Sequence, residues 1–166
     1  MLGKLVDVVH LKIVKEKSVL YGGLDITKTR IQNPGDAVEL ASPFFEGCDK
    51  EMVYVCALNA NMNPINISLV AVGSMCECRI QMSEIFKTAI LSNCCNIICF
   101  HNHLSENPSP SDEDRAVTLE MQMLGKLLGI KLQDHIVIAD DGKYYSFQEE
   151  GIILNGEWSL EAERRA

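Results

Sequence analysis

Residues 96–114 read NIICFHNHLSENPSPSDED, and the parsing of this stretch decides the fold. NIICF, residues 96–100, is a short, fully apolar run of the kind that fills a strand buried on both faces. It ends directly on His101-Asn102-His103. Side chains two apart on an extended backbone point to the same side, so His101 and His103 can converge while Asn102 points away. LSENPSP is a loop stiffened by Pro108 and Pro110. Ser111-Asp112-Glu113-Asp114 then opens a helix, with a capping-box spacing and three carboxylates in the first turn. The polar groups fall in the order H-x-H-x7-S-x2-D.

Two neutral imidazoles and a carboxylate suit Zn²⁺, and three protein ligands leave a fourth position open, as catalytic zinc sites do and structural ones do not. His101, His103 and Asp114 are therefore the candidate metal ligands. Ser111 caps the helix and can also offer its hydroxyl to an oxyanion developing beside the metal. Water activated by a metal needs a proton acceptor. Upstream carboxylates are Glu39, Glu46, Glu51, Glu77 and Glu84. Glu51 stands out because it opens a strand that is otherwise apolar. His135, on a later strand, reads as a buried, hydrogen-bonded histidine rather than a further ligand.

Working outward, residues 5–20 are rich in Val and Leu and read as one or two strands, with Gly22-Gly23 as a turn. Asn33-Pro34 predicts a helix start, Asn33 capping and Pro34 in the first turn. That helix runs toward Gly47, with Pro43 near its end. Residues 51–58 (EMVYVCAL) and 65–72 (INISLVAV) form an antiparallel hairpin around a loop of turn formers. Ser83 caps a helix over EIFKTAILSNC, with Ile85, Phe86, Ala89 and Ile90 inward. The helix opened by Ser111 runs to about Leu128, with Val117, Met121, Leu124 and Leu128 as its apolar stripe, and Gly129 ends it. Residues 130–139 form a strand, Asp140-Asp141-Gly142 a hairpin turn, and YYSF its partner. A short polar helix closes the chain after Asn155. The predicted class is α/β: a mixed, mostly antiparallel sheet flanked by helices.

The chain has 166 residues and a net charge of −8, enough for one domain with a substantial core. Such an acidic balance argues against autonomous nucleic-acid binding, since phosphate contacts need a basic face. The best basic strip, Lys12, Lys15, Lys17, Lys28 and Arg30, is diluted by Glu16 and Asp25. Seven cysteines, mostly in apolar runs, suggest buried thiols in a reducing compartment, hence a cytoplasmic protein. Cys76-Glu77-Cys78 has no second cysteine pair to complete a metal site. No secretory signal is visible and no apolar stretch is long enough to span a bilayer.

HNHLSENPSPSDED, preceded by the SEIFKTAILSNCCNIICF helix-strand unit and followed by LGIKLQDHIVIADDGKYYSF, resembles the RadC-like branch of the JAB/JAMM (MPN+) metalloproteases. The resemblance extends from about Glu51 to Phe147. It implies a single JAB/JAMM domain that binds Zn²⁺ through His101, His103 and Asp114. It further implies Glu51 as the catalytic glutamate and Ser111 as the serine that assists the oxyanion. The reaction implied is hydrolysis of a peptide or isopeptide bond, with a peptide or a ubiquitin-like protein as substrate. Two departures stand in the motif loop, where the branch usually has Pro and Gly and this chain has Leu104 and Glu106. The helix-hairpin-helix region of full-length RadC proteins is not recognisable.

The organisation expected is a strand-rich extension and helix over residues 1–45, the RadC-like domain over 46–150 and a tail over 151–166. Three other readings stay open: a non-catalytic MPN-type scaffold, an accessory protein of RadC type in DNA repair or on a mobile element, and a small-molecule amidase on the same scaffold. The sequence does not set the oligomeric state; a dimer is one option.

Overall fold

A computed structural model describes residues 12–14, 30–73 and 80–153. Of the expected strands of residues 5–20 only 12–14 are described, and they carry no strand structure; the Gly22-Gly23 turn, Cys76-Glu77-Cys78 and the C-terminal helix lie outside the described residues, as do most of the basic strip and Glu77. The described elements run α1 (Pro34–Ala41), β1 (Met52–Leu58), β2 (Pro64–Val72), α2 (Met82–Leu91), β3 (Asn96–Asn102), α3 (Asp112–Leu128), β4 (Lys131–Ile138) and β5 (Tyr144–Ser146). A short 3-10 turn, Ser42–Phe44, follows α1.

One five-stranded sheet has the order β2-β1-β3-β4-β5. Only β3 and β4 are parallel, joined across α3; the other pairings are antiparallel. The sheet is thus mixed and mostly antiparallel, and the class is α/β. β3 is the middle strand, and every residue of it is buried. This explains why NIICF carries no polar alternation: a strand covered on both faces has no solvent side to mark. β3 runs two residues beyond the apolar run, because His101 still pairs with Val53 of β1 and Val137 of β4.

The two faces are sorted by residue parity. Val53, Val55 and Ala57 of β1, with Ile97 and Cys99 of β3, join a core that contains Ile85, Phe86 and Ala89 of α2 and Met121 of α3. Cys56, Leu58, Ile98 and Phe100 point the other way, onto Ala37, Leu40 and Ala41 of α1. In β4 the parity changes midway. Leu132 faces the α2/α3 side, and so does Val137, five residues later. The register shift opposite Ile97/Ile98 accounts for it: Ile97 pairs with Leu132 but Ile98 pairs with Asp134. One extra residue, Gln133, is a bulge that reverses the alternation.

Helix ends follow local chemistry. Asn33 Oδ1 accepts the Asp36 N–H at 3.0 Å, and Pro34 takes the first helical position, as expected. α1 stops earlier than expected, passing into the 3-10 turn at Ser42, one residue before Pro43. The predicted Ser83 cap is not observed. α2 starts at Met82 with Gln81 at the cap position, and no side chain caps it. Ile85, Phe86 and Ala89 are buried as expected, whereas Ile90 is 52% exposed. Ile90 follows Ala89 by one residue, a 100° turn of the helix that carries it off the buried face. Leu128 is also largely exposed, while Thr118, Met121 and Gly125 form the buried line of α3. Gly125 lies where helix and chain touch: a Cβ there would stand 2.4 Å from the Ile130 carbonyl oxygen. Gly129 ends α3 in the left-handed region, as a C-terminal glycine does.

Candidate metal centre

His101 ends the buried strand on its α2/α3 face, and α3 begins beside it. The capping box expected at Ser111 is present: Ser111 Oγ accepts the Asp114 N–H at 3.0 Å, and Asp114 Oδ2 accepts the Ser111 N–H at 2.8 Å. Ser111 Oγ–H also donates to Oδ2, at 2.7 Å. These bonds occupy Oδ2 and leave Oδ1 turned toward the sheet, 3.4 Å from His101 Nε2. The other histidine, His103, brings its Nε2 to 3.6 Å from Asp114 Oδ2. One donor atom from each of His101, His103 and Asp114 lies within 4.8 Å of the others. The capping bonds fall on Oδ2, which is also the oxygen nearest His103 Nε2, while Oδ1 is the one nearest His101 Nε2.

Tautomers follow from partners that can only accept. His103 Nδ1 is 3.0 Å from the Asn107 carbonyl oxygen, so Nδ1 carries a proton, and once Nε2 is deprotonated it is the nitrogen left to offer a lone pair. Both Nε2 atoms face the carboxylate. Ligand bonds of about 2.0–2.1 Å in a tetrahedron place neighbouring donors roughly 3.4 Å apart. His101 Nε2 lies 3.4 Å from Oδ1, close to that spacing, and His103 Nε2 lies 3.6 Å from the other carboxylate oxygen; with one donor atom of each residue within 4.8 Å of the others, the set is compact enough for a small divalent cation.

Electrostatics separate the two rings. Burial holds His101 down at about 4, against the pull of Asp114. His103, more open, is raised by its contact with Asp114, with burial opposing. Burial raises the Asp114 carboxyl, but His103, His101 and the Ser111 bonds outweigh it and hold it well below the usual carboxylate range.

Glu51 immediately precedes β1. The antiparallel register ends with Val53 opposite His101; Glu51, two residues earlier, lies close enough to His103 and Asp114 to interact with both electrostatically. Its carboxyl is raised chiefly by burial, with His103 lowering and Asp114 raising it. Among the other described upstream carboxylates, Glu84 pairs with Lys87 on the surface of α2.

The partners of three residues here are not legible in the sequence. Asn102 does point to the opposite face, but it is not idle. Its Oδ1 accepts the Met52 N–H at 2.7 Å and its Nδ2–H donates to the Lys50 carbonyl at 3.1 Å. Asn102 thus grips the residues on either side of Glu51, tying that segment to the histidine strand. The second is His135, buried and hydrogen-bonded as expected, whose Nε2 lies 3.1 Å from His101 Nδ1. Thr118, fully buried on α3, contacts His135 Nδ1 at 2.7 Å. No local pattern marks these contacts; they depend on the register of β4 and the azimuth of α3.

The chain matches the family model described as "RadC-like JAB domain" over residues 31–152. It is 38% identical over 123 residues to a UPF0758 protein of Shouchella clausii, covering 74% of this chain and 53% of the relative. A UPF0758 protein of Methanococcoides burtonii is 36% identical over 129 residues, covering 78% and 56% respectively. For one of Clostridium kluyveri the identity is 40% over 124 residues, with 75% and 54% covered. The chain spans about half the length of the curated relatives it matches.

Proposed function

The chain belongs to the RadC-like JAB domain family, and from that premise we propose that it is a zinc-dependent hydrolase of peptide or isopeptide bonds, a metallopeptidase of JAMM type. The observation that carries this reading is the convergence of two bare imidazole Nε2 atoms and a free carboxylate oxygen, with Glu51 beside them. His101, His103 and Asp114 would hold the ion. Zinc, when bound, supplies Lewis-acid polarisation of a carbonyl and lowers the pKa of water at its open position.

The rest is the work of this chain's side chains. Glu51 is the proton carrier: partial burial raises its carboxyl, which brings its affinity for a proton closer to the working range of a general base. It takes a proton from the attacking water and returns it to the leaving amine. Asn102 keeps the Glu51 backbone in register with the histidines. Ser111 stands at the exposed start of α3 and offers its hydroxyl to the oxyanion, in exchange for the bond it otherwise gives Asp114 Oδ2.

The substrate class proposed is a peptide or a ubiquitin-like conjugate. The net charge of −8 supports a protein substrate over autonomous nucleic-acid binding. None of the five described cysteines is in a disulfide, in keeping with the reducing, cytoplasmic setting proposed. Among the described residues no helix is long and apolar enough to cross a membrane.

The test is metal quantification on untagged protein, followed by cleavage assays on peptide and ubiquitin-like conjugates with and without chelator. Glu51→Gln should keep its zinc and lose cleavage. Full cleavage by that variant removes Glu51 from the reaction, and metal-free, active protein removes zinc from it.

A further inference from the structure

His101 reaches the metal centre with its back to the core, and what stands behind it is a chain of side chains ending on a backbone carbonyl. Thr118 Oγ1 lies 2.6 Å from the Asp114 carbonyl oxygen and 2.7 Å from His135 Nδ1. A hydroxyl has one hydrogen, and the carbonyl can only accept it. Thr118 therefore donates to Asp114, and its oxygen accepts from His135 Nδ1–H. That leaves a lone pair on His135 Nε2, 3.1 Å from His101 Nδ1. His101 Nδ1 must then carry the hydrogen, and His101 Nε2 is left bare on the side of Asp114 Oδ1. Each assignment follows from the one before, and all of them from the direction of a single hydroxyl.

We infer that His135 and Thr118 are positioning residues that fix the tautomer and ring orientation of His101, so that its Nε2 meets the cation as a lone pair.

Two features show that the arrangement is built rather than incidental. His135 is fully buried and stacks on Phe147, with ring centroids 5.0 Å apart and planes within 8°, so the plane of its ring is set by packing. The Gln133 bulge is also required. Without it, the alternation set by Leu132 would turn Asp134, not His135, toward α3. The relay also returns to the site it serves, because the carbonyl at its end belongs to Asp114 itself. Ligand histidines commonly rest their second nitrogen on a carboxylate or carbonyl, and loss of that support costs 10- to 100-fold in metal affinity. Here a neutral imidazole and a hydroxyl do the same work.

The inference rests on His101 being a metal ligand, so its test includes a metal-free readout. Histidine ring tautomers are assigned by nitrogen-15 NMR of the apo protein, and zinc affinity is measured by chelator competition. Wild-type protein should show Nδ1–H on both His101 and His135. In His135→Phe, which keeps the stacked ring, His101 should lose that single tautomer and zinc affinity should fall roughly 10- to 100-fold. His135→Gln, whose side-chain oxygen can accept from His101, should recover most of the affinity. Thr118→Val should move the His135 hydrogen to Nε2 and displace that of His101, and it decides the matter should His135→Phe not fold. Unchanged tautomers and affinity in the folded variants would overturn the relay. A wild-type chain with the stated tautomers but no affinity for zinc keeps the relay and defeats the metal reading instead.

Discussion

His101 and His103 stand two residues apart and reach the same carboxylate, yet they are held in opposite ways. His101 is set into the middle of the sheet, its side chain 5% exposed, and its orientation comes from buried neighbours on β4 and α3. His103 lies past the end of β3, its side chain 17% exposed, and takes its orientation from the Asn107 carbonyl, four residues on in the same loop. One ring belongs to the core and the other to the surface. A site made this way has a fixed wall and an adjustable one. Motif departures are tolerable on the second: Leu104 and Glu106 are exposed and lie in the loop, away from the sheet.

The sharpest way to break this contrast is to remove each ring in turn. Both His101→Ala and His103→Ala should lose zinc, read by metal content. Their stabilities should differ. His101→Ala strands His135 Nε2 in the core and should cost about 1–3 kcal/mol in denaturant unfolding. His103→Ala should stay within about 0.5 kcal/mol of wild type. Equal losses would erase the distinction between wall and loop.

Titration sharpens it further. In metal-free protein His103 should take up its proton above the ordinary 6.5 and His101 only near 4, followed by ring proton shifts. The signs for stability are opposite. His103, raised by Asp114, contributes fully below 6.5, and its contribution fades as pH rises through its folded value. His101 is depressed, so between 6.5 and about 4 the unfolded chain binds a proton that the folded chain refuses, and stability drops as pH falls through that window. Two rings titrating together would contradict the burial difference.

The smallest effect is expected at Asn107. Its side-chain Oδ1 accepts the Ser109 N–H at 3.0 Å and shapes the turn, but the bond to His103 comes from its backbone. Asn107→Ala should weaken zinc by less than about tenfold, smaller than a lost supporting bond in the core, with melting nearly unchanged.

The same division governs what could be read from the sequence. NIICF, the histidine pair and the Ser111–Asp114 capping box are legible because each is a short-range pattern: an apolar run, a spacing of two, a spacing of three. The hairpin turns and Gly129 are legible for the same reason. What escapes are contacts set by how elements lie against one another. Residue 135 faces α3 only because Gln133 bulges, and no residue type announces a bulge there. Thr118 looks like any polar residue of an amphipathic helix until the helix is rotated into place. The expected cap at Ser83 fails for a related reason: the strongest capping residue nearby lost to a helix that packs earlier, with Met82 against the core. Ile90 and Leu128 fit a helical period on paper, yet both fall at the edge of their stripes and are 52% and 48% exposed, because the width of a buried face is set by what packs on it and not by the period.

Gly125 acquires a significance beyond its own neighbourhood. It sits eleven positions after Asp114 on a single unbroken helix, a span of about 16 Å, at the point where α3 comes closest to the chain entering β4. Contact at that end acts as the fulcrum of a rod whose other end carries a carboxylate. Adding even one methyl at the fulcrum would tilt the rod, and the far tip would swing away from the imidazoles although nothing near them had been touched.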